Sequence, residues 1–478
     1  MKNLRTFLLT LSFFGLSISA AFSQHPSLGG GAGTDSDPYI ISTGEQLKAL
    51  ADYVNDDNGI TEGVYYKLTN DLDLSGYAAG EGWLPIGVFR GIFDGNNHKI
   101  TGLKINRLDL DKVALFGILA STATIKNFGI EECYIKGRDY VGGLVAQNSG
   151  GFIENCYATG NVTGQERVGG LVGINTAAFI EKCYSTSNVT GQEKVGGLVG
   201  ENYVYSSIER CYATGCVKGI PYVGGLVGVN TFKSSVKNSY ATGCVTGEYM
   251  VGGLVGDNDE SYIENCYATG SVTGSGMLGG LVGRHSYDSS TKNCIAANNM
   301  VKGSSYRNRI SGYNYDGDLL NNYALSTMVV ENMTPTPDKD GEAGANASLD
   351  QLQSLVFYTT SSNWNTSAGK VWDIIDPSGI WMICDGKELP FLRWQGISCE
   401  GLGNSEIIAG KNIIYPNPAK DALNFSLEAS YELIDLQGRL LKSGKSVKTI
   451  NISSLPSGVY FIRLITETGV SVQKVIKE

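Results

Sequence analysis

The segment Val141-Gly142-Gly143-Leu144-Val145 returns at Val168, Val195, Val223 and Val251, and a sixth copy begins with leucine at Leu278. The spacings are 27, 27, 28, 28 and 27 residues. Between copies runs a second segment, Ile153-Glu154-Asn155-Cys156-Tyr157-Ala158-Thr159-Gly160, with counterparts centred on Tyr184, Tyr212, Tyr240 and Tyr267. A third piece, Asn161-Val162-Thr163-Gly164, echoes through Val189, Val217, Val245 and Val272. Each period reads as three short strand-like runs separated by glycine or asparagine turns. So short a unit cannot bury an apolar face alone, and its copies must stack. Helical repeats need apolar stripes at helical spacing, which residues 113–300 lack, and propeller blades need about 40 residues and four strands. The expected fold class is all-β: a parallel β-helix (β-solenoid) of 27–28-residue coils.

In such a stack, like positions recur about 4.8 Å apart and form ladders. Leu144, Leu171, Leu198, Leu226, Leu254 and Leu281 make one, and Asn148, Asn175, Asn202, Asn230 and Asn258 another, with His285 in the sixth copy. Asparagine tolerates left-handed backbone angles and hydrogen-bonds to its own kind, so both behaviours are expected there. Cys133, Cys156, Cys183, Cys211, Cys266 and Cys294 read as one repeat position, with Ser239 in the remaining copy. Stacked neighbours lie farther apart than the roughly 3.8 Å that bridged β-carbons require, which predicts a reduced packing ladder. Cys216 and Cys244 read as a second stacked pair, and Cys384 with Cys399 as the expected disulfide.

Outward from the repeats, residues 1–23 have a basic start, an apolar stretch and small residues ending at Ser23, the pattern of a signal peptide. No later stretch reaches the roughly 20 apolar residues of a membrane span. Residues 24–112 read as an N-terminal cap and first coils, with a short amphipathic helix over Glu45 to Ala51. Residues 113–325 hold the repeats. Residues 326–398, with a helical piece near Leu349 to Leu355 and Trp364, Trp372, Trp381 and Trp394, read as a cap closing the other end. Residues 399–410 form a linker, and the strand-like runs of 411–478 read as a small β-sandwich. The net charge of −10, about −12 once Lys2 and Arg5 leave with the signal, argues against nucleic acid and anionic lipid as partners.

The Gly-Gly-Leu-Val-Gly core resembles the GLUG repeat of bacterial surface proteins and of some immunoglobulin A peptidases. Ala114-Leu115-Phe116-Gly117 reads as a degenerate seventh copy, and Ala146 departs from the final glycine. This resemblance implies a β-helical surface module and nothing about catalysis. The C-terminal region resembles the sorting domain of the type IX secretion system. The resemblance rests on Tyr415-Pro416-Asn417-Pro418, Asp435-Leu436-Gln437-Gly438, Leu455-Pro456-Ser457-Gly458-Val459-Tyr460 and the terminal Lys474-Val475-Ile476-Lys477. It implies handling by that machinery, a Bacteroidetes-type source, and release or attachment at the outer cell surface.

Candidate chemistry is sparse. Three histidines, none spaced with cysteine, make a zinc site improbable. Asp338-Lys339-Asp340-Gly341-Glu342 offers calcium-type oxygens but reads better as a solvated loop. Six glycine-rich copies before strands are turn glycines, not phosphate loops, which need one loop before a helix. Arg284-His285 beside Asp257, Asp259 and Glu260 is the one cluster that could serve acid and base work on adjacent coils. The expectation is therefore no enzyme, no cofactor and no metal, but a binding or adhesion scaffold for a host, glycan or matrix ligand. A carbohydrate-active β-helix enzyme and a structural component of the cell surface are the alternatives.

Overall fold

The computed structural model describes residues 28–56, 59–364, 371–399, 414–415, 419–435, 439–466 and 469–477. The signal-peptide reading falls on residues outside these. Residues 1–383 with 390–395 form one compact unit, and 384–389 with 396–478 a second.

The first unit is a parallel β-solenoid. Its register follows the sequence repeat: Val172 pairs with Val199, Val199 with Val227, and Val227 with Val255. One coil contains strands Glu193–Gly196, Val199–Tyr203, Ser207–Glu209, Tyr212–Ala213 and Val217–Lys218. These five, rather than the three runs expected, contribute to a 6-stranded sheet, a 9-stranded sheet and a long 27-stranded sheet. The difference arises at two bends: the left-handed Arg210 divides Ser207–Glu209 from Tyr212–Ala213, and the repeated motif is not a strand but a corner. Gly196 ends one strand, Gly197 and Leu198 turn, and Val199 starts the next. Both Leu198 and Val199 are fully buried as a result, as are all six leucines of the expected ladder. Each buried leucine contributes about 1.5–3 kcal/mol.

The motif glycines are needed for space rather than for unusual backbone angles. A Cβ on Gly196 would lie 2.0 Å from the Val199 carbonyl oxygen, and one on Gly197 2.1 Å from the Gly225 oxygen of the next coil. The left-handed turn sits one residue earlier, on Tyr140, Arg167, Lys194, Tyr222, Met250 and Met277, all with φ between 53° and 61°. It presses that residue's carbonyl group onto the final glycine one coil on, so a Cβ on Gly200 would meet the Arg167 carbonyl carbon at 2.6 Å.

The asparagine ladder forms half as expected. Asn148 donates to Asn175 at 2.9 Å, Asn175 to Asn202 at 2.9 Å, Asn202 to Asn230 at 2.8 Å and Asn230 to Asn258 at 2.8 Å. None of these five is left-handed. That conformation falls instead on the column before the cysteines: Asn127, Asn155, Lys182, Arg210, Asn238, Asn265, Asn293 and Asn321.

The cysteine ladder needs one correction. Cys156 stacks on Phe128, while Cys133 pairs with Gly160, so Cys133 lies outside the column. A register shift between Ala158 and Gly160 separates the two, and the likeness of Glu131-Glu132-Cys133-Tyr134 to the later copies is local. Above it the thiols stay reduced and buried. The Cys183 sulfur accepts the Cys156 N–H at 3.4 Å, and Ser239 accepts the Cys211 N–H at 3.0 Å. Cys216 and Cys244, read as merely stacked, are bridged at a Cα separation of 4.7 Å. Cys384 and Cys399 form the expected disulfide.

Parallel stacking begins before the recognisable repeats, with Tyr39–Ile41 on Tyr65–Leu68. The expected helix spans Gly44–Asn55, with Thr43 accepting the Gln46 N–H at its start. Asn55 then accepts the Gly87 N–H and donates to the Pro85 carbonyl, which covers the first edge of the 9-stranded sheet. At the other end Ala345–Ala347 pairs with Tyr323–Leu325. Buried Arg309 donates to the Ala343 and Gly344 carbonyls.

The tryptophan-rich stretch starts at that end, where Trp364 and Phe357 pack on Tyr323. It runs back along the outside of the long sheet as a strap. There Tyr157, Tyr184, Tyr212, Tyr240 and Tyr267 stack nearly parallel, 4.7–5.0 Å between ring centres. Trp381 packs on Tyr240 and Tyr267, and Trp394 on Tyr184 and Tyr212. Trp394 also donates to the Arg210 carbonyl at 2.9 Å, and Gln395 to the Tyr240 hydroxyl at 2.8 Å. Tyrosine faces on the outside of a sheet need such a cover to be buried.

The second unit holds a five-stranded antiparallel sheet. Ala422–Ile434 pairs with Ile414–Tyr415, Leu440–Asn451 and Gly458–Thr466, and Gly469–Lys477 completes it. Leu423, Phe425, Leu433, Ile450, Ile462 and Val475 fill its core.

Candidate functional site

The cluster of Arg284, His285, Asp257, Asp259 and Glu260 is brought near but does not converge. Alternation along the strand Val282–His285 turns Arg284 outward and His285 inward. Arg284 clamps Asp257 with two bonds of 2.7 and 2.6 Å. Burial pushes the Asp257 carboxyl up, and the Arg284 guanidinium opposes that shift. His285 is fully buried in the asparagine column, and burial pushes its pKa down to about 4. Asp259 accepts from Ser286 at 2.5 Å, and Glu260 sits at a left-handed turn. An acid and a base facing one substrate atom are not assembled from these groups.

The acidic loop from Asp338 is stitched to the last coils. The Asp338 carboxylate accepts the Asp340 N–H, Asp340 that of Asn321, and Glu342 that of Asn314. Among the described residues no three His, Cys, Asp or Glu side chains group so as to hold a metal ion.

Two outer edges were not read from the sequence. One is a shallow cleft of about 320 Å³ between coils, lined by Asp139, Gln165, Glu166, Gln192, Glu193, Ile220 and Pro221. Its signal was the Gly-Gln-Glu tripeptide repeated at Gly164 and Gly191, just before the motif. Beside it Glu201, almost wholly buried, accepts from Arg167 at 2.5 Å and pairs with Lys194 at 3.3 Å.

The other edge is the corner that follows the asparagine column. Six successive coils each raise an aromatic ring there: Phe179, Tyr205, Phe232, Tyr262, Tyr287 and Tyr315, between 44% and 65% exposed. The rings come either from the turn, one to three residues after the asparagine column, or from the start of the next strand. Phe179, Ser207, Ser235, Tyr262, Ser290 and Asp318 share one register column at the start of the next strand. Where that column carries serine or aspartate, the preceding turn supplies the ring, and where it carries an aromatic residue the turn holds Ala177 or Glu260. The Tyr287 and Tyr315 rings meet edge to face at 4.5 Å. Neither position alone repeats, so no single column of the sequence shows the stripe.

Of the sorting-signal residues, Pro416, Asn417, Pro418 and Gly438 lie outside the described residues. Gly458 opens the strand Gly458–Thr466. Tyr460 is buried and donates its hydroxyl to the Pro456 carbonyl at 2.8 Å, which fixes the turn through Ser457. The Lys474 backbone pairs with Phe461.

Coils joined in register by side-chain ladders define a β-solenoid repeat protein. Residues 137–163, 164–190, 191–218, 219–246 and 247–273 match the GLUG motif, and 413–478 match the secretion system C-terminal sorting domain. The chain therefore carries five GLUG motifs and a type IX sorting tail, which marks it for secretion and cell-surface attachment. The coil at Leu278 lies beyond the matched motifs, yet it pairs with Val251 like the others. Over 134 residues the chain is 34% identical to a putative Gly-rich membrane protein of Evansella cellulosilytica, covering 26% of this chain and 15% of that protein. Over 145 residues it is 33% identical to halomucin of Haloquadratum walsbyi, covering 28% of this chain and 2% of that protein. The chain thus spans a small part of the curated relatives it matches. Among the described residues no helix is long and apolar enough to cross a membrane.

Proposed function

We propose that this chain is a non-catalytic scaffold displayed at the cell surface, mediating adhesion through side chains laid along the solenoid. The observation that carries the reading is parallel register running from Tyr39 to Ala347 in a chain that ends in a sorting domain. Such a stack holds its outer side chains at fixed spacing without spending any on catalysis. Two facts support the non-catalytic part: Arg284 occupies the Asp257 carboxylate, and His285 points into the core.

Cell fractionation tests the location. The full chain is expected at the surface, accessible to antibody, and a chain lacking residues 405–478 is expected to stay inside the outer membrane. Cells without the chain should lose attachment to glycan- or matrix-coated surfaces. Unchanged attachment sinks the adhesion reading. Release of product from a polysaccharide panel, abolished by Asp257→Ala or His285→Ala, replaces it with an enzyme.

A further inference from the structure

We infer that the aromatic corner is a binding track for a linear, neutral polysaccharide, laid along the solenoid axis with one ring offered per coil. This rests on the scaffold reading and names the ligand class and the face that takes it.

The rings are not there for the fold. Turn tips favour Gly, Asn and Asp, and a bulky ring on a left-handed backbone is disfavoured. Yet Tyr205 and Phe232 sit at φ 52° and 54°, with Tyr205 65% exposed and Phe232, though edge-on to Tyr203, still 48% exposed. The exchange between turn and strand positions points the same way. When Ala177 or Glu260 takes the tip, Phe179 or Tyr262 restores the ring two residues on. A core requirement would hold one position aromatic; a surface requirement holds only the presence of a ring.

The repeat sets the shape of the ligand. Coils that recur about every 4.8 Å, each offering one ring near the same corner, suit an extended polymer whose units also recur. Its apolar C–H faces would lie on the rings, and its hydroxyls would meet the polar groups between them. Those groups are present: the Ser207 and Ser235 hydroxyls lie 3.3 Å apart, and Asp259 and Asp288 flank the rings. Charge selects further. Asp259, Glu260, Asp288 and Asp316 lie on the edge against a single Lys233, which disfavours polyanions. A stripe one ring wide also falls short of the roughly 800 Å² per partner that a stable protein interface buries.

Affinity electrophoresis of the full chain through gels holding cellulose derivative, xylan, mannan or soluble chitin, with alginate as the polyanion, tests this. Retardation is expected in at least one neutral gel. A combined variant, Tyr205→Asn, Phe232→Asn, Tyr262→Ser and Tyr287→Ser, should bind at least tenfold more weakly, whereas Tyr134→Ser, an exposed ring elsewhere on the coil, should bind as before. Asparagine suits the left-handed positions, so the single changes Tyr205→Asn and Phe232→Asn retain the fold and should each weaken retardation. Equal retardation of the combined variant, or retardation by alginate alone, overturns the inference. So does the absence of retardation in every neutral gel; if cells still need the chain for attachment, the scaffold reading survives that failure.

Discussion

At position 285 an imidazole interrupts a column of carboxamides. Asn258, buried like the histidine, lies on one side of it and the partly exposed Asn314 on the other. Burial favours the neutral ring and pushes its pKa down to about 4, against about 6.5 in an unfolded chain. The unfolded state therefore binds the proton first as the pH falls. Stability from this residue is complete above pH 6.5 and is lost between 6.5 and about 4, by about 3 kcal/mol. His285→Asn should remove that slope and extend the amide ladder, which denaturant midpoints of both proteins across this window would show; parallel slopes would refute it. The thiols give a second residue-scale prediction. Without reductant, an alkylating reagent should modify almost none of the ten cysteines in the folded chain and six after unfolding, by intact mass. Four or fewer would mean further bridges. The asparagine column was legible because its spacing equals the repeat, whereas Cys133 was misplaced because a familiar tetrapeptide says nothing about register.

The unit of construction is the coil, and its corner decides whether coils can approach. Gly200 has the Arg167 carbonyl carbon and the Gly173 oxygen where a methyl group would go, each at 2.6 Å from an added Cβ. Gly200→Ala should therefore cost about 1–3 kcal/mol through overpacking, although alanine raises strand and helix propensity alike over glycine. Thermal unfolding measures it, and an unchanged midpoint would show that the coils separate freely. The same change at Gly63, whose added Cβ meets nothing, loses only the φ of 72° that glycine accepts. The repeat period and parallel stacking followed from the spacing of the motif. That the motif is a bend did not, because Val, Leu and Gly in one run carry no parity to divide a strand from a corner. The aromatic edge escaped for a related reason: the ring shifts position from coil to coil, so no one column carries it.

A solenoid whose coils touch only their neighbours unfolds as a chain of linked steps. The strap changes that by tying Tyr184 through Tyr267 to one segment. Trp381, fully buried, is the firmest of its anchors. Trp381→Ala should cost about 3–5 kcal/mol and broaden the denaturant transition as the coils come apart separately. A lower midpoint with an unchanged slope would show that the strap adds stability without coupling. Sequence could not place it, since four tryptophans in irregular chain have no period to betray what they cover.

The strap lies on a track of identical rings. Were recombination to add or drop one GLUG unit upstream of the last coil, Trp381 and Trp394 would meet the next tyrosines along and find the same stacked faces. A longer or shorter rod would thereby keep the same cover, so its length could change by whole units without a new ending.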